Sequence, residues 1–412
     1  MLKSSSLLLL VLCAASTASL EASDWPEFRG PTGQGISTRT DLPLTWDATN
    51  HVAWQSAIPG EGWSSPSLQG GTIFLTTAVK TGKGLSLRAL AVNEKDGRIL
   101  WNNEVISHEA GAPNIHGKNS HASPTPIASG DRIYVHFGTL GTACLDLEGK
   151  VLWRQTSLKY SPVHGSGGSP ILVGDALIFS CDGGSNPFVV ALHRDTGKIL
   201  WKTPRETTAK KTFSFSTPLL ITVDGKKQVI SPGSGAVCAF DPADGTELWR
   251  ARYGEGYSVI PRPVFGHGLL FVSSGYDRPV AMAVRPGGQG DVTETHVAWS
   301  LTKGAPNTPS MLLAGDELFM VSDGGIGSCL DARLGKVHWQ ERLGGNYSAS
   351  PLLSNGRIYF LNEEGTTVVV KASKEFVKLA ENPLGERALS TPAAGDGCLY
   401  LRTQGKLFKI KG

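Results

Sequence analysis

The sequence predicts an all-β chain, an eight-bladed β-propeller of four-stranded antiparallel blades closed by pairing an N-terminal strand with the C-terminal blade. Three observations predict it. First, Trp54, Trp101, Trp153, Trp201, Trp249, Trp299 and Trp339 recur at separations of 47, 52, 48, 48, 50 and 40 residues, a period that suits one blade per repeat. Second, most of these tryptophans end a turn-and-strand element, as in DGRILW (96–101), DTGKILW (195–201) and ADGTELW (243–249). Third, glycine is abundant, 50 of 412 residues against a usual share of about 7%, and the surplus falls in turns between apolar runs.

Each repeat justifies its elements in order. It opens on a hydroxyl residue before proline: Ser65, Ser123, Ser169, Thr217, Thr308, Ser350 and Thr391, with Arg262-Pro263 in the fifth place. Eight openings predict eight blades. Proline at the first residue of a strand removes no ladder bond the sheet requires. An apolar run, a tight turn and a second strand follow, as in GDRIYVHF (130–137) and NGRIYFL (355–361). The third strand runs into an Asp/Gly turn such as AFDPADG (239–245), where aspartate bonds the backbone ahead of it and glycine takes a left-handed conformation. The fourth strand ends at the tryptophan. Its ring is expected to dock between neighbouring blades, with the indole N–H reaching a carbonyl across the seam. No helical period is evident.

Counting also predicts closure. The last unit, 390–411, holds three strands, and HVAWQSAIP (51–59) is a fourth strand with no three before it. Pairing the two completes the eighth blade and removes both open edges. Residues 24–50 do not fit the repeat, yet carry Trp25, Phe28 and Trp46. Three large apolar groups predict an extended segment lying on the propeller (23–50) and covering one end of its channel. The propeller itself spans 51–412. Residues 1–22 read as an export signal: Lys3, an apolar core over 7–15, then Ser16-Thr17-Ala18. Export places the chain in a periplasm or outside the cell. Cys13 follows the large Leu12, unlike a lipoprotein signal, which wants a small residue there.

Composition excludes several classes. Net charge is +3, and the 39 basic residues are scattered, so no nucleic-acid partner is expected. No apolar stretch of about 18 residues follows the N-terminus, which excludes a transmembrane span; peripheral association with a membrane is compatible with the sequence. Cys144, Cys238 and Cys329 recur at one repeat position and read as small buried strand residues. No CxxC pair or HExxH motif is present.

The ALHRDTGKILW (191–201) and AFDPADGTELW (239–249) elements resemble the PQQ-type propeller repeat. That repeat occurs in the quinoprotein alcohol dehydrogenases and in the propeller lipoprotein of the outer-membrane β-barrel assembly machinery, BamB. The resemblance covers roughly residues 50–412 and implies eight blades. The dehydrogenase branch implies PQQ and calcium as cofactors. This chain departs from that branch: it has no adjacent cysteine pair and lacks the long insertions that wall in a substrate.

Functional groups in a propeller come mainly from loops entering the innermost strands. Here those loops carry Trp63, Asn119, His121, His164, Tyr257, Arg262, Asn307, Asn346, Tyr347 and Arg387. Aromatic rings, amides and a few charges around one axis suit a binding funnel. In IHGKNSH (115–121), His116, Asn119 and His121 are candidate metal or anion ligands, though the spacing matches no zinc pattern. No GxSxG element, paired carboxylates or phosphate loop is evident, so no catalytic residue is assigned. The expected function is that of a non-catalytic binding or assembly scaffold with an envelope protein or small ligand at the channel mouth. The alternative is a PQQ- and calcium-dependent dehydrogenase, and a third reading is a carbohydrate-binding or hydrolase-associated module.

Overall fold

The blades form because the second and third strands of each repeat are apolar on both faces. Ile133, Tyr134 and Val135 in one strand, and Val189 to Leu192 in another, are all buried. A strand without alternation must be covered on both sides, and a neighbouring blade supplies each cover. The outermost strands alternate instead, as in Val52–Ala57. In the computed structural model, which describes residues 24–82 and 84–412, eight antiparallel sheets are arranged in chain order. Blades 1 to 7 occupy 67–108, 127–155, 171–204, 219–252, 264–301, 312–342 and 352–383. The signal expected over 1–22, with Cys13, lies outside the described residues.

Blade 8 closes the ring. Strands Ala393–Gly395, Cys398–Arg402 and Lys406–Lys411 form its inner three, and Val52–Ala57 adds the outer one. That strand runs antiparallel to Lys406–Lys411, with Gln55 opposite Phe408 and Ala57 opposite Lys406. The pairing predicted by counting is present.

The core lies at the seams. One apolar cluster joins blades 1 and 2, another blades 2 and 3, and so on around the ring. Blades 7, 8 and 1 share a single larger cluster, because Trp25, Leu42 and Trp46 of the N-terminal segment fill it. The five described cysteines are buried thiols within these blades.

The repeating tryptophan dock has a definite construction. The residue before each tryptophan falls at a β-bulge, which re-aims the ring toward the next blade. Six of the seven indole N–H groups then donate to a carbonyl of the following blade: Trp54 to Glu94, Trp101 to Leu147, Trp153 to Arg194, Trp201 to Pro242, Trp299 to Ala332 and Trp339 to Ser373. The turn glycine of the following blade lies under the ring. A methyl group at Gly245 would stand 2.4 Å from Trp201, so that position requires glycine for space as well as for its φ of 76°. Trp249 is the exception. Its indole donates to Gln228 of its own blade at 2.8 Å, and Gly290–Asp291 pairs in parallel onto the outer edge of blade 4 at this residue. The same insertion carries one helical turn, Thr293–His296, which the sequence did not suggest.

Blade 7 has no docking tryptophan. Ala380 stands opposite Val369 at the position where Trp339 stands opposite Cys329. Trp46 fills the place from outside the repeat. It stacks on Tyr359 of blade 7 at 6.3 Å, matching the 6.1 Å of Trp339 on Phe319 and the 6.0 Å of Trp299 on Phe271. Asn382 fixes it, accepting the backbone N–H of Trp46 at 2.9 Å and donating to the Leu44 carbonyl at 3.1 Å.

Candidate functional site

The site is built on a belt of hydroxyls around the channel. Seven of the eight innermost strands begin with a residue whose N–H donates to the side-chain oxygen of its counterpart in the next blade. Ser65 donates to Thr125 (3.0 Å), Thr125 to Ser169 (2.9 Å) and Ser169 to Thr217 (2.9 Å). Across the ring Arg262 donates to Ser310 (2.9 Å), Ser310 to Ser350 (3.0 Å), Ser350 to Thr391 (3.0 Å) and Thr391 to Ser65 (3.1 Å). This belt corrects two expected blade openings. Thr125 and Ser310 take the belt positions, and Ser123 and Thr308 do not. Ser123 instead donates to Asn119 at 2.6 Å, and Thr308 to Asp323 at 2.6 Å. Ser123-Pro124-Thr125-Pro126 offers two matching steps, and Ser310 precedes Met311 instead of proline, so the dipeptide alone misplaces both.

The belt breaks once, between blades 4 and 5, where Arg262 has no hydroxyl to give. Its guanidinium bridges the gap by donating to the Pro218 carbonyl at 3.0 Å. It also holds the N-terminal segment, through the Phe28 carbonyl (2.5 Å) and the Glu27 carboxylate (3.0 Å). Residues 25–35 cross the channel on this side. Trp25 exchanges backbone bonds with Leu68 of blade 1, Pro26 accepts from Ala128 of blade 2, and Gly35 accepts from Leu353 of blade 7. Arg29 donates to Met311 of blade 6 at 2.8 Å. Gly33 lies against the Arg262 guanidinium, 2.5 Å from where a Cβ would stand. The segment therefore floors one end of the channel, with Phe28 facing upward.

The other end opens as a cavity of about 360 Å³ above the belt. Trp63, Phe215, Tyr257 and Tyr276 supply its rings; His116, Asn119 and His164 supply its polar wall. The loop 115–121 bends over the mouth. Lys118 reaches Glu363 of blade 7 at 2.8 Å, and Arg387 donates to the Gly117 carbonyl at 3.1 Å while lying over the Trp63 ring at 5.6 Å. Ser348 also donates to Glu363, at 2.6 Å. The His116 and His164 rings meet edge-on at 5.3 Å, and Asn119 donates to the His164 carbonyl at 2.8 Å. Burial, with His116 and Lys211 nearby, lowers the His164 pKa.

Four of the ten mouth candidates line this cavity: Trp63, Asn119, His164 and Tyr257. Arg387 stands at the rim. The other five lie elsewhere. Arg262 is beneath the belt, on the floor side. His121 is half-buried, with burial lowering its pKa; it is not brought to His116. Asn307 docks its N–H on Asp323 at 2.7 Å. Asn346 is exposed. Tyr347 is buried in the seam between blades 6 and 7. Lys118, Tyr276, Phe28 and the belt hydroxyls also line the cavity and were not among the site candidates read from the sequence. The hydroxyls left a signal in the recurring Ser/Thr before proline, which explains strand starts equally well.

Hydroxyls, amide, imidazole and aromatic rings are recognition groups. A calcium ion needs six to eight oxygens, several of them carboxylate, and among the described residues no carboxylate lines the cavity. The cysteines are separate and buried in the blades. These residues do not fit a calcium-held quinone. Among the described residues, no group of three or more His, Cys, Asp or Glu is placed to hold a metal.

The family model described as outer membrane protein assembly factor BamB matches residues 35–162, 91–327 and 295–411. An outer membrane protein assembly factor BamB of Yersinia pestis is 27% identical over 203 residues, 47% of this chain and 46% of that protein. The chain thus matches about half the length of this curated relative. Among solved structures, BamB from Moraxella catarrhalis superposes with a TM-score of 0.62 at 14% identity, covering 88% of this chain and 97% of that one. A europium-containing methanol dehydrogenase superposes at 0.58 with 11% identity, covering 94% and 98%. At these identities the structural likenesses speak to fold alone.

Proposed function

From the premise that this chain belongs to the outer membrane protein assembly factor BamB family, we propose that it is an exported, non-catalytic scaffold that binds a protein partner at its open channel mouth. The observation that carries this reading is the asymmetry of the channel. One end is floored by the protein's own residues 25–35, and the other presents Trp63, Tyr257 and Arg387 around a cavity. Large rings and arginine at a concave rim are the groups that dominate protein–protein binding energy. Residues 1–22 serve as the signal that delivers the chain to the periplasm or beyond, 23–50 as the flooring segment, and 51–412 as the propeller. Among the described residues no helix is long and apolar enough to cross a membrane.

Affinity capture from envelope extracts of the source cell tests this reading. The wild-type protein recovers a partner; Trp63→Ala and Arg387→Ala, both at the surface of the mouth, each recover it at least about tenfold less, the loss of a hot spot worth about 1.4 kcal/mol or more. Equal recovery by wild type and both variants moves the partner off the mouth. A protein that recovers no partner and oxidises an alcohol when supplied with PQQ and calcium overturns the scaffold reading.

A further inference from the structure

We propose that the belt at the base of the cavity is an anion site that takes the carboxylate of a ligand entering by the open mouth. The scaffold reading assigns no chemistry to the belt, and the two stand or fall separately.

The first observation is the orientation of the hydroxyls. Ser65, Thr125, Ser169, Thr217, Ser310, Ser350 and Thr391 line the cavity, and each is at most 5% exposed. Each side-chain oxygen accepts a backbone N–H from the preceding blade, as described above. A hydroxyl has two acceptor lone pairs and one donor hydrogen. None of the seven donates to another protein group among the described residues, so the O–H hydrogens remain for whatever stands on the axis. Facing an open cavity, each takes its acceptor from water or from a ligand. A carboxylate offers about four acceptor sites and can satisfy several of these donors at once.

The second observation is the charge beneath the belt. Arg29 and Arg262 are both buried there, and among the described residues Glu27 is the one carboxylate paired with them, which leaves a local excess of one positive charge. Arg29 donates to the Gln34 and Met311 carbonyls, the latter adjacent to belt residue Ser310. Its Nε and Nη1 are buried without a partner. Burial and the neighbouring Arg262 lower its pKa to about 9. Buried charges are ordinarily paired, and Arg29 has no carboxylate partner among the described residues, so the charge beneath the belt favours an anion over a cation above it. A cation on the same hydroxyl oxygens would face two guanidiniums with no carboxylate in the lining.

The third observation is the space above the belt. A volume of about 360 Å³ falls in the range of small-ligand pockets, and Trp63, Phe215 and Tyr257 line it with apolar surface. The carboxylate therefore belongs to an organic acid or to the end or acidic side chain of a peptide, with its apolar body against these rings.

Calorimetric titration of the isolated exported protein with benzoate, benzamide and benzylamine tests the site. Benzoate is expected to bind saturably and at least tenfold more tightly than the isosteric amide, and the amine is not expected to bind. Ser350→Ala is expected to weaken benzoate about tenfold, whereas Ser350→Thr, which keeps the hydroxyl, retains it. A second arm compares Gly-Gly-Phe with its C-terminal amide: preference for the free acid identifies a peptide source, and benzoate binding without peptide binding identifies a small acid. Equal affinity for benzoate and benzamide, or no binding of either at millimolar concentration, overturns the proposal and leaves a belt that holds water. Preference for the amine overturns it in favour of a cation. Should Ser350→Ala not fold, the ligand series on wild type and on Ser350→Thr decides alone.

Discussion

Arg262→Met is expected to lower the unfolding free energy by about 3–5 kcal/mol, the range for breaking a buried ion pair by removing one partner. Arg262 is 2% exposed and performs three tasks with one guanidinium. It closes the single gap in the hydroxyl belt at Pro218, holds the carbonyl of Phe28, and neutralises Glu27. Burial pushes the Glu27 carboxyl above its ordinary pKa, with Arg262 opposing. Methionine fills comparable space and leaves all three oxygens unpaired. Arg262→Lys is not expected to restore stability, since an ammonium is a compact point charge without the planar fork. Adding Glu27→Gln to Arg262→Met recovers part of the loss, because it removes the buried uncompensated charge. Chemical denaturation of the single and double variants checks this. A single-variant loss below about 1 kcal/mol would show that the floor does not depend on this pair.

Trp46→Ala is expected to cost about 3–5 kcal/mol, the range for truncating a buried tryptophan. Trp46 is 4% exposed and belongs to the segment that precedes the repeats. Its ring occupies the seam between blades 7 and 8, where Ala380 leaves room for it, and packs on Tyr359. Restoring bulk in the repeat itself, by Ala380→Trp on the Trp46→Ala background, tests whether the seam simply lacks a ring. Thermal unfolding of Trp46→Ala within about 2 °C of wild type would remove this segment from the account of how the ring is sealed.

The two variants mark where the sequence was readable. The blades were readable because their cause is local and repeated: a turn glycine, a bulge and a tryptophan every 40 to 52 residues. Closure was readable because three strands at one end and one at the other can be counted. Trp46 was recognisable as a large apolar group needing cover, but its seam was not, because nothing in 335–383 announces that Ala380 stands at a tryptophan position until the register is known. The belt was half-readable. Hydroxyls before proline marked seven of the openings, but two were assigned two residues early. Arg262 was placed at the mouth because it opens its repeat as the hydroxyls do; only the third dimension shows its long side chain turning under the belt to residues 27 and 28. Tyr347 failed for the opposite reason. A tyrosine in a loop reads as a surface group, yet this one completes a seam between blades.

The central claim is a ring closed by its two chain ends in a specific register, and a cysteine pair tests it most directly. Ala57 and Lys406 stand opposite one another in the closing strands, and the five described native cysteines are buried. Ala57→Cys with Lys406→Cys, oxidised mildly at low concentration, is predicted to form an intramolecular 57–406 disulfide in the monomer, found by peptide mass mapping. Thiols that stay reduced in the folded monomer, or that link one molecule to another, would contradict the closure and the single-mouthed channel built on it.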